Sequence, residues 1–188
     1  MRLLKSILLI PVIFLVACSD TLEYDDDDVA AVVMGNEITI GDLRFLVPDE
    51  DVLNAIDGMV KAELAKYEIE NMDLDMEEEV LSEGENVQEY PPEDVNTSWA
   101  KSTREFAEKQ AEKFDMDPEE YFNQYTKITT EQSAYVVAFI EEKIGEPEGG
   151  DEETKAYSEK ADELLDQLME KHEDDFEVFI RPSDSAED

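Results

Sequence analysis

The stretch VAAVVMGNEITIGDLRFLV, Val29–Val47, decides the fold. Val29–Met34 is rich in β-branched side chains and predicts a short strand, because such residues fit a pleated, half-buried surface. Gly35-Asn36 is a turn signal, and Glu37-Ile38 returns briefly. Thr39 then opens a helix. Thr39-Ile40-Gly41-Asp42 has the form of a capping box, with Asp42 placed to reach back to the Thr39 amide. Leu43, Phe45 and Leu46 give that short helix its apolar side, and Pro48 ends it.

Downstream, the apolar spacing is helical almost throughout. Residues 49–71 predict an amphipathic helix, with Val52, Leu53, Ile56, Met59, Val60, Leu64 and Tyr67 at spacings of one, three or four. Asp49, Glu50 and Asp51 stand in its first turn, where the helix dipole favours negative charge. Residues 72–87 read as a weaker acidic helix and loop. An EF-hand fit over Asp73–Gly84 fails, since position six is Glu78 and position twelve is Gly84. Pro91-Pro92 marks a break, after which Asn96 or Thr97 caps a helix carrying Trp99, Phe106, Ala107, Ala111 and Phe114. Asp117-Pro118-Glu119-Glu120 is a helix start, with aspartate as N-cap and proline at the first helical position. Thr130 is read as the cap of a further helix that ends at Gly145, before Pro147. Glu153–Asp174 predicts a long helix with Tyr157, Ala161, Leu164, Leu165, Leu168 and Met169 on one face, and Phe176–Ile180 a second strand. The expected fold is mainly α: about six helices and a two-stranded β-ribbon pairing the N-terminal and C-terminal strands. A lone ribbon is marginal, so the helices must cover one of its faces.

Upstream, the chain starts basic with Arg2 and Lys5, and Ile7–Ala17 is an apolar run. The run is shorter than the roughly 20 residues of a spanning helix and suits the core of a secretory signal peptide. It ends Leu15-Val16-Ala17-Cys18, which resembles the lipobox of bacterial lipoproteins. That resemblance implies a diacylglyceryl group on the sulfur of Cys18, cleavage before it, and a membrane anchor of at least two acyl chains. Residues 1–17 are then the leader, 18–28 the lipidated cysteine with an acidic tether ending in Asp25–Asp28, 29–180 one helical domain, and 181–188 a polar tail. The expected location is the outer face of the cytoplasmic membrane, in a Gram-positive bacterium of saline or alkaline habitat. Cys18 is the single cysteine, so the mature chain has no thiol left for a disulfide or a Cys/His metal site.

Charge excludes one class of partner. The chain carries 52 acidic and 15 basic residues, a formal net charge of −37. Phosphate contacts need a basic face, so nucleic acid is not an expected partner. An anionic membrane surface also repels the domain. Self-repulsion on this scale is relieved by salt, which suits an acidic surface to a saline medium.

The residues of catalysis are sparse. His172 is the one histidine, at the end of the last helix, where it complements the dipole and neighbouring glutamates. No Gly-rich phosphate loop and no G-x-S-x-G occurs, and no cofactor or metal is expected. What remains is apolar surface in the middle third. Trp99, Phe106, Tyr121, Phe122, Tyr125 and Tyr135 are candidates either for the core or for a groove that takes extended apolar segments. Met59, Met72, Met76 and Met116 would make such a surface adaptable.

Taken in order, Val33-Met34-Gly35-Asn36-Glu37-Ile38-Thr39, the Val52–Tyr67 helix, Asp117-Pro118-Glu119-Glu120-Tyr121 and the closing strand resemble the N-terminal chaperone domain of the SurA family and the related PrsA-type foldase lipoproteins. The resemblance spans roughly residues 29–180. It implies a lipid-anchored, ATP-independent binder of unfolded or newly exported polypeptides. The family's isomerases carry a parvulin domain of about 90 residues, and the short acidic loop after Gly145 leaves no room for one, so an enzyme is not expected. The alternative is an assembly protein docked on one envelope partner. The sequence leaves open a homodimer formed by strand exchange.

Overall fold

The computed structural model describes residues 24–72, 74, 76, 89–147, 149 and 151–180. The expected leader, Cys18, the polar tail and most of the expected acidic helix and loop at 72–87 lie outside these residues. The order of elements is β1 (Val29–Val33), β2 (Asn36–Thr39), α1 (Ile40–Leu46), a 3-10 turn (Asp49–Asp51), α2 (Val52–Glu70), α3 (Ser98–Lys113), α4 (Pro118–Ile144), α5 (Asp151–Lys171) and β3 (Phe176–Val178). The described chain is therefore mainly helical with a small antiparallel sheet.

The sheet has three strands in the order β2-β1-β3, not two. The N-terminal and C-terminal strands do pair, Ala31 opposite Val178 and Val33 opposite Phe176. The extra strand follows from the turn. Met34 at φ 51 and Gly35 at φ 84 are both left-handed, the two-residue geometry whose twist matches that of the flanking strands. The turn thus falls one residue earlier than Gly35-Asn36, and Asn36 already faces Val33. Met34 accepts a conformation that costs a side chain about 1–2 kcal/mol and packs its thioether against the core.

Five helices replace the expected six among the described residues, because Thr130 caps nothing and α4 runs unbroken for 27 residues. The hydroxyls of Thr126 and Thr129 donate to the carbonyls of Phe122 and Tyr125 one turn back, so they follow the helix rather than interrupt it. The other boundaries lie where the local chemistry puts them. Thr39 and Asp42 form the capping box, Thr97 caps α3, Asp117 accepts from the amides of Glu119 and Glu120, and Gly145 at φ 79 closes α4. Asp25–Asp28, expected as the end of a tether, forms a turn whose Asp26 and Asp28 carbonyls accept from the amides of Gly41 and Ile40. A Cβ on Gly41 would lie 3.1 Å from the Asp26 carbonyl oxygen, so glycine permits this approach.

Two apolar clusters form. The larger packs β1 against Val52, Ile56, Val60 and Leu64, a four-residue stripe on α2, and is closed by Phe139, Leu168 and Ile180. The smaller gathers Ala107, Ala111, Tyr121 and Phe122 with half-buried Phe45, Tyr90, Phe106, Met116 and Tyr125. Helix α4 contributes to both. Between them, the last carbonyls of α1 lack helical donors, as at any helix end, and α3 and α4 supply them. Gln110, 2% exposed, donates from Nε2 to the carbonyls of Arg44 and Val47 at 3.0 Å each. The Tyr121 hydroxyl donates to the Phe45 carbonyl at 2.7 Å, and burial pushes its pKa up to about 12.

Gln110→Ala strands two carbonyls in a buried site. We expect it to lower unfolding stability by about 1–3 kcal/mol in urea titration, the cost of an unpaired buried polar group. A loss within error of zero would mean that water or a rearranged side chain satisfies the α1 terminus.

Candidate functional site

Two rows of side chains face each other across the seam of α2 and α4. Met59, Ala62, Glu63 and Lys66 line one side, and Ile128, Glu131, Gln132 and Tyr135 the other, each row at spacings that share one helical face. Two depressions, of about 240 and 170 Å³, lie along the seam and share Glu63, Ile128 and Gln132. Ile38 from β2, with Phe45 and Leu46 from α1, walls the larger. In the described sheet β2 is an edge strand, so no strand pairs with its outer rim. Ile128 is 37% exposed, an apolar side chain on the open face of a helix.

The polar groups of this groove are unevenly matched. Gln132 Nε2 sits 3.1 Å from the Met59 sulfur. Lys66 reaches Glu131 at 3.4 Å and lies over the Tyr135 ring, 5.2 Å from its centroid. Glu63 is half-buried, and no hydrogen-bond donor among the described residues reaches its carboxylate. Burial, with the nearby carboxylates of Glu70, Glu131 and Asp42, raises its pKa above the ordinary glutamate value despite the attraction of Lys66.

The expected site residues divide between places. Tyr121 is fully buried and Phe122 is 7% exposed, so both are packing side chains of the smaller cluster. Phe106 and Tyr125 are half-buried beside them, ring centroids 5.3 Å apart. Trp99 is 45% exposed on α3. Tyr135 packs at the edge of the larger core and alone of the six lines the α2–α4 groove. Phe106 lines a separate cleft of about 360 Å³ beside Asp49 and Lys113. Asp49 there holds Arg44 at 3.1 Å and Lys113 at 2.6 Å. Burial works to raise its carboxyl, but these two cations hold it below the usual aspartate value. A concavity of about 530 Å³ at the start of α4 is walled by polar side chains.

Sequence reasoning did not single out Glu63 or Ile128, or Ile38 as a lining residue. Ile128 shares the helical face of the buried Tyr121 and Phe139, so its spacing reads as core and gave no separate signal. His172 is 7% exposed and does more than complement its own helix. Its Nε2 meets Glu68 of α2 at 2.8 Å and its Nδ1 meets Asp175 at 2.9 Å. Lys171 also grips Glu68, at 2.6 Å. This cluster ties α5 and the approach to β3 onto α2, and it opens into none of the concavities above.

Among the described residues no group of three or more His, Cys, Asp or Glu side chains is arranged to hold a metal, and no helix is long and apolar enough to cross a membrane. Comparison with protein-family models, with curated proteins and with solved structures returns no match.

The Glu68 tie has a pH signature. Burial acts to raise its carboxyl, but hydrogen bonds from Lys171 and His172 outweigh that and hold it below the ordinary 4.5. A lowered folded pKa stabilises fully above the unfolded value and is lost as pH falls through the folded one. Glu68→Gln should therefore melt lower than the parent at pH 7, and the gap should narrow as both are acidified below pH 4.5. A gap that stays constant down to pH 3 would show that the ionised carboxylate contributes nothing.

Proposed function

We propose that this protein is a lipid-anchored, extracytoplasmic module that binds unfolded or newly exported polypeptides without ATP and without catalysing a reaction. The observation that carries this reading is the α2–α4 groove: an open channel in which Ile38, Phe45, Leu46, Met59 and Ile128 alternate with polar and acidic side chains. A ligand pocket for a small molecule is typically about 300–1,000 Å³. Two shallower depressions in series suit successive side chains of an extended chain better than one compact ligand. The unpaired rim of β2 beside them suits an extended backbone, as in recognition by strand addition. Met59 supplies a flexible, polarizable wall that tolerates varied side chains.

The SurA-like and PrsA-like order of segments in the sequence supports the same reading, and Leu15-Val16-Ala17-Cys18 supports anchoring at the outer face of the cytoplasmic membrane. An acidic exterior suits the task, since it keeps a loaded complex soluble in salt. The second reading is a dedicated assembly protein seated on one envelope partner. It is favoured by the modest length of the groove, which offers few contacts for a general holdase. Breadth of binding separates the two.

The experiment uses the protein purified from an expressing bacterium, challenged with unfolded exported proteins at low and high salt. We expect suppressed aggregation of several non-acidic clients near equimolar ratio, persisting in high salt because apolar contact carries it. The same preparation of a Cys18→Ser protein from which residues 1–17 have been removed should leave the membrane fraction and keep the activity. Suppression of no client, with the chain shown to be folded, would refute general client binding and leave the dedicated partner. Membrane retention of a Cys18→Ser protein from which residues 1–17 have been removed would refute the anchor.

A further inference from the structure

Glu63 sets the chemistry of what the α2–α4 groove takes. Of the ionisable side chains on its walls, Glu37, Asp42, Glu63 and Glu131 are acidic and Lys66 alone is basic. Lys66 is already engaged with Glu131 at 3.4 Å and with the Tyr135 ring. Asp42 is engaged too, its carboxylate accepting from the Thr39 amide at 2.8 Å. Glu63 is not. It stands where the two depressions meet, with Ile128 and Met59 on the same walls, half-buried, attracted by Lys66 through space but without a hydrogen-bond donor among the described residues. A half-buried carboxylate that solvent still reaches, with no hydrogen bond of its own, is open to an incoming cationic donor.

Three other carboxylates at contacts between elements are matched. Asp49 has Arg44 and Lys113, Glu68 has Lys171 and His172, and Asp166 has Lys61 at 2.6 Å. The contrast is chemical as well as geometric, since burial raises the carboxyl of Glu63 while cations lower those of Asp49 and Glu68.

We infer that the groove binds an extended segment of a partner polypeptide that places a lysine or arginine on Glu63, with apolar side chains in the depressions on either side. This rests on the client-binding reading and narrows it from unfolded chains in general to basic-apolar segments. The cation supplies the donor that Glu63 lacks, in a site where burial weakens screening and strengthens the pair. The apolar neighbours cover Ile128 and Met59. An acidic segment is refused by the four carboxylates, which is specificity through repulsion. The protein thereby holds basic-apolar segments while its own acidic surface stays unbound.

The test is fluorescence anisotropy on the purified full chain with three labelled twelve-residue peptides. They share an alternating apolar and serine frame and differ only at the centre, which is lysine, norleucine or glutamate. Measurements run in 0.5 M salt, where exposed charges more than about one Debye length apart are screened. We expect lysine to bind tightest and glutamate weakest. Glu63→Gln should weaken the lysine peptide about tenfold, the scale of one charge-assisted hydrogen bond, and leave the norleucine peptide unchanged. Glu170→Gln, on the exposed side of α5, should change neither. Glu63→Gln should also melt no lower than the parent, because it removes a desolvated charge, so weaker binding cannot be ascribed to unfolding. Glu63→Lys should reverse the order in favour of the glutamate peptide.

If the norleucine peptide binds and Glu63→Gln leaves the lysine preference intact, the role of Glu63 is overturned while client binding stands. If none of the three binds the parent chain, both fall.

Discussion

The exit of helix α1 is the point on which the two halves of the molecule hang. The carbonyls of Arg44, Phe45 and the capping residue Val47 receive donors from Gln110 of α3 and Tyr121 of α4. That arrangement joins the strand-and-helix opening of the chain to a helical pair some 70 residues later. Phe45 is held at the junction, its ring 4.9 Å from Tyr121 and 5.3 Å from Phe114. With α1 fixed, Pro48 and the 3-10 turn direct α2 across the sheet, and α4 passes from the smaller cluster into the larger without a break. The groove is a consequence. Its side walls are α2 and α4, and Phe45 and Leu46, held by the same junction, form its end.

Charge is distributed with similar economy. The chain has few cations, and those of the interior seams bridge elements: Arg44 and Lys113 at the α1–α3 junction, Lys61 and Lys171 between α2 and α5, Lys66 between α2 and α4. Arg44 also reaches Asp26, tying the acidic turn to α1, and its hydrogen bond to Asp49 is the chief cause that holds its proton more tightly than usual. Arg104 clamps the loop before α3 by donating to the carbonyls of Pro91, Pro92 and Val95. Against so acidic a background each of these contacts replaces a repulsion as well as adding an attraction. Exposed pairs such as Lys155 with Glu159 are worth little by comparison.

Local signals were legible and long-range ones were not. Thr39 with Asp42, Asp117 with Pro118, and Gly145 announce helix ends because the atoms that satisfy them lie within a few residues. The pairing of first and last strands was also readable, from β-branched runs at both ends of a helical chain. Strand β2 was underweighted because one of its four residues, Ile38, is buried and the others are half-buried or exposed. Thr130 misled because a threonine before an apolar run is equally a cap or a residue in mid-helix, and only the continuing register of α4 decides. Gln110 gave no sign of itself, since a glutamine on an amphipathic helix reads as surface until the carbonyls it serves arrive from 63 and 66 residues away. The aromatics drew attention by composition, yet Tyr121 and Phe122 went to packing, and the groove took its walls from Ile38, Met59 and Ile128.

The central claim is that polypeptide clients lie in the α2–α4 groove and not on the exposed Trp99 face. Site-specific photocrosslinking tests it most directly, with a photoreactive benzophenone amino acid placed in turn at positions 128, 99 and 157 of the full chain. The client is reduced, carbamidomethylated lysozyme, a permanently unfolded basic polypeptide. The account predicts a covalent adduct from position 128 and little from 99 or 157. Adducts concentrated at 99, or equal at all three positions, would contradict it.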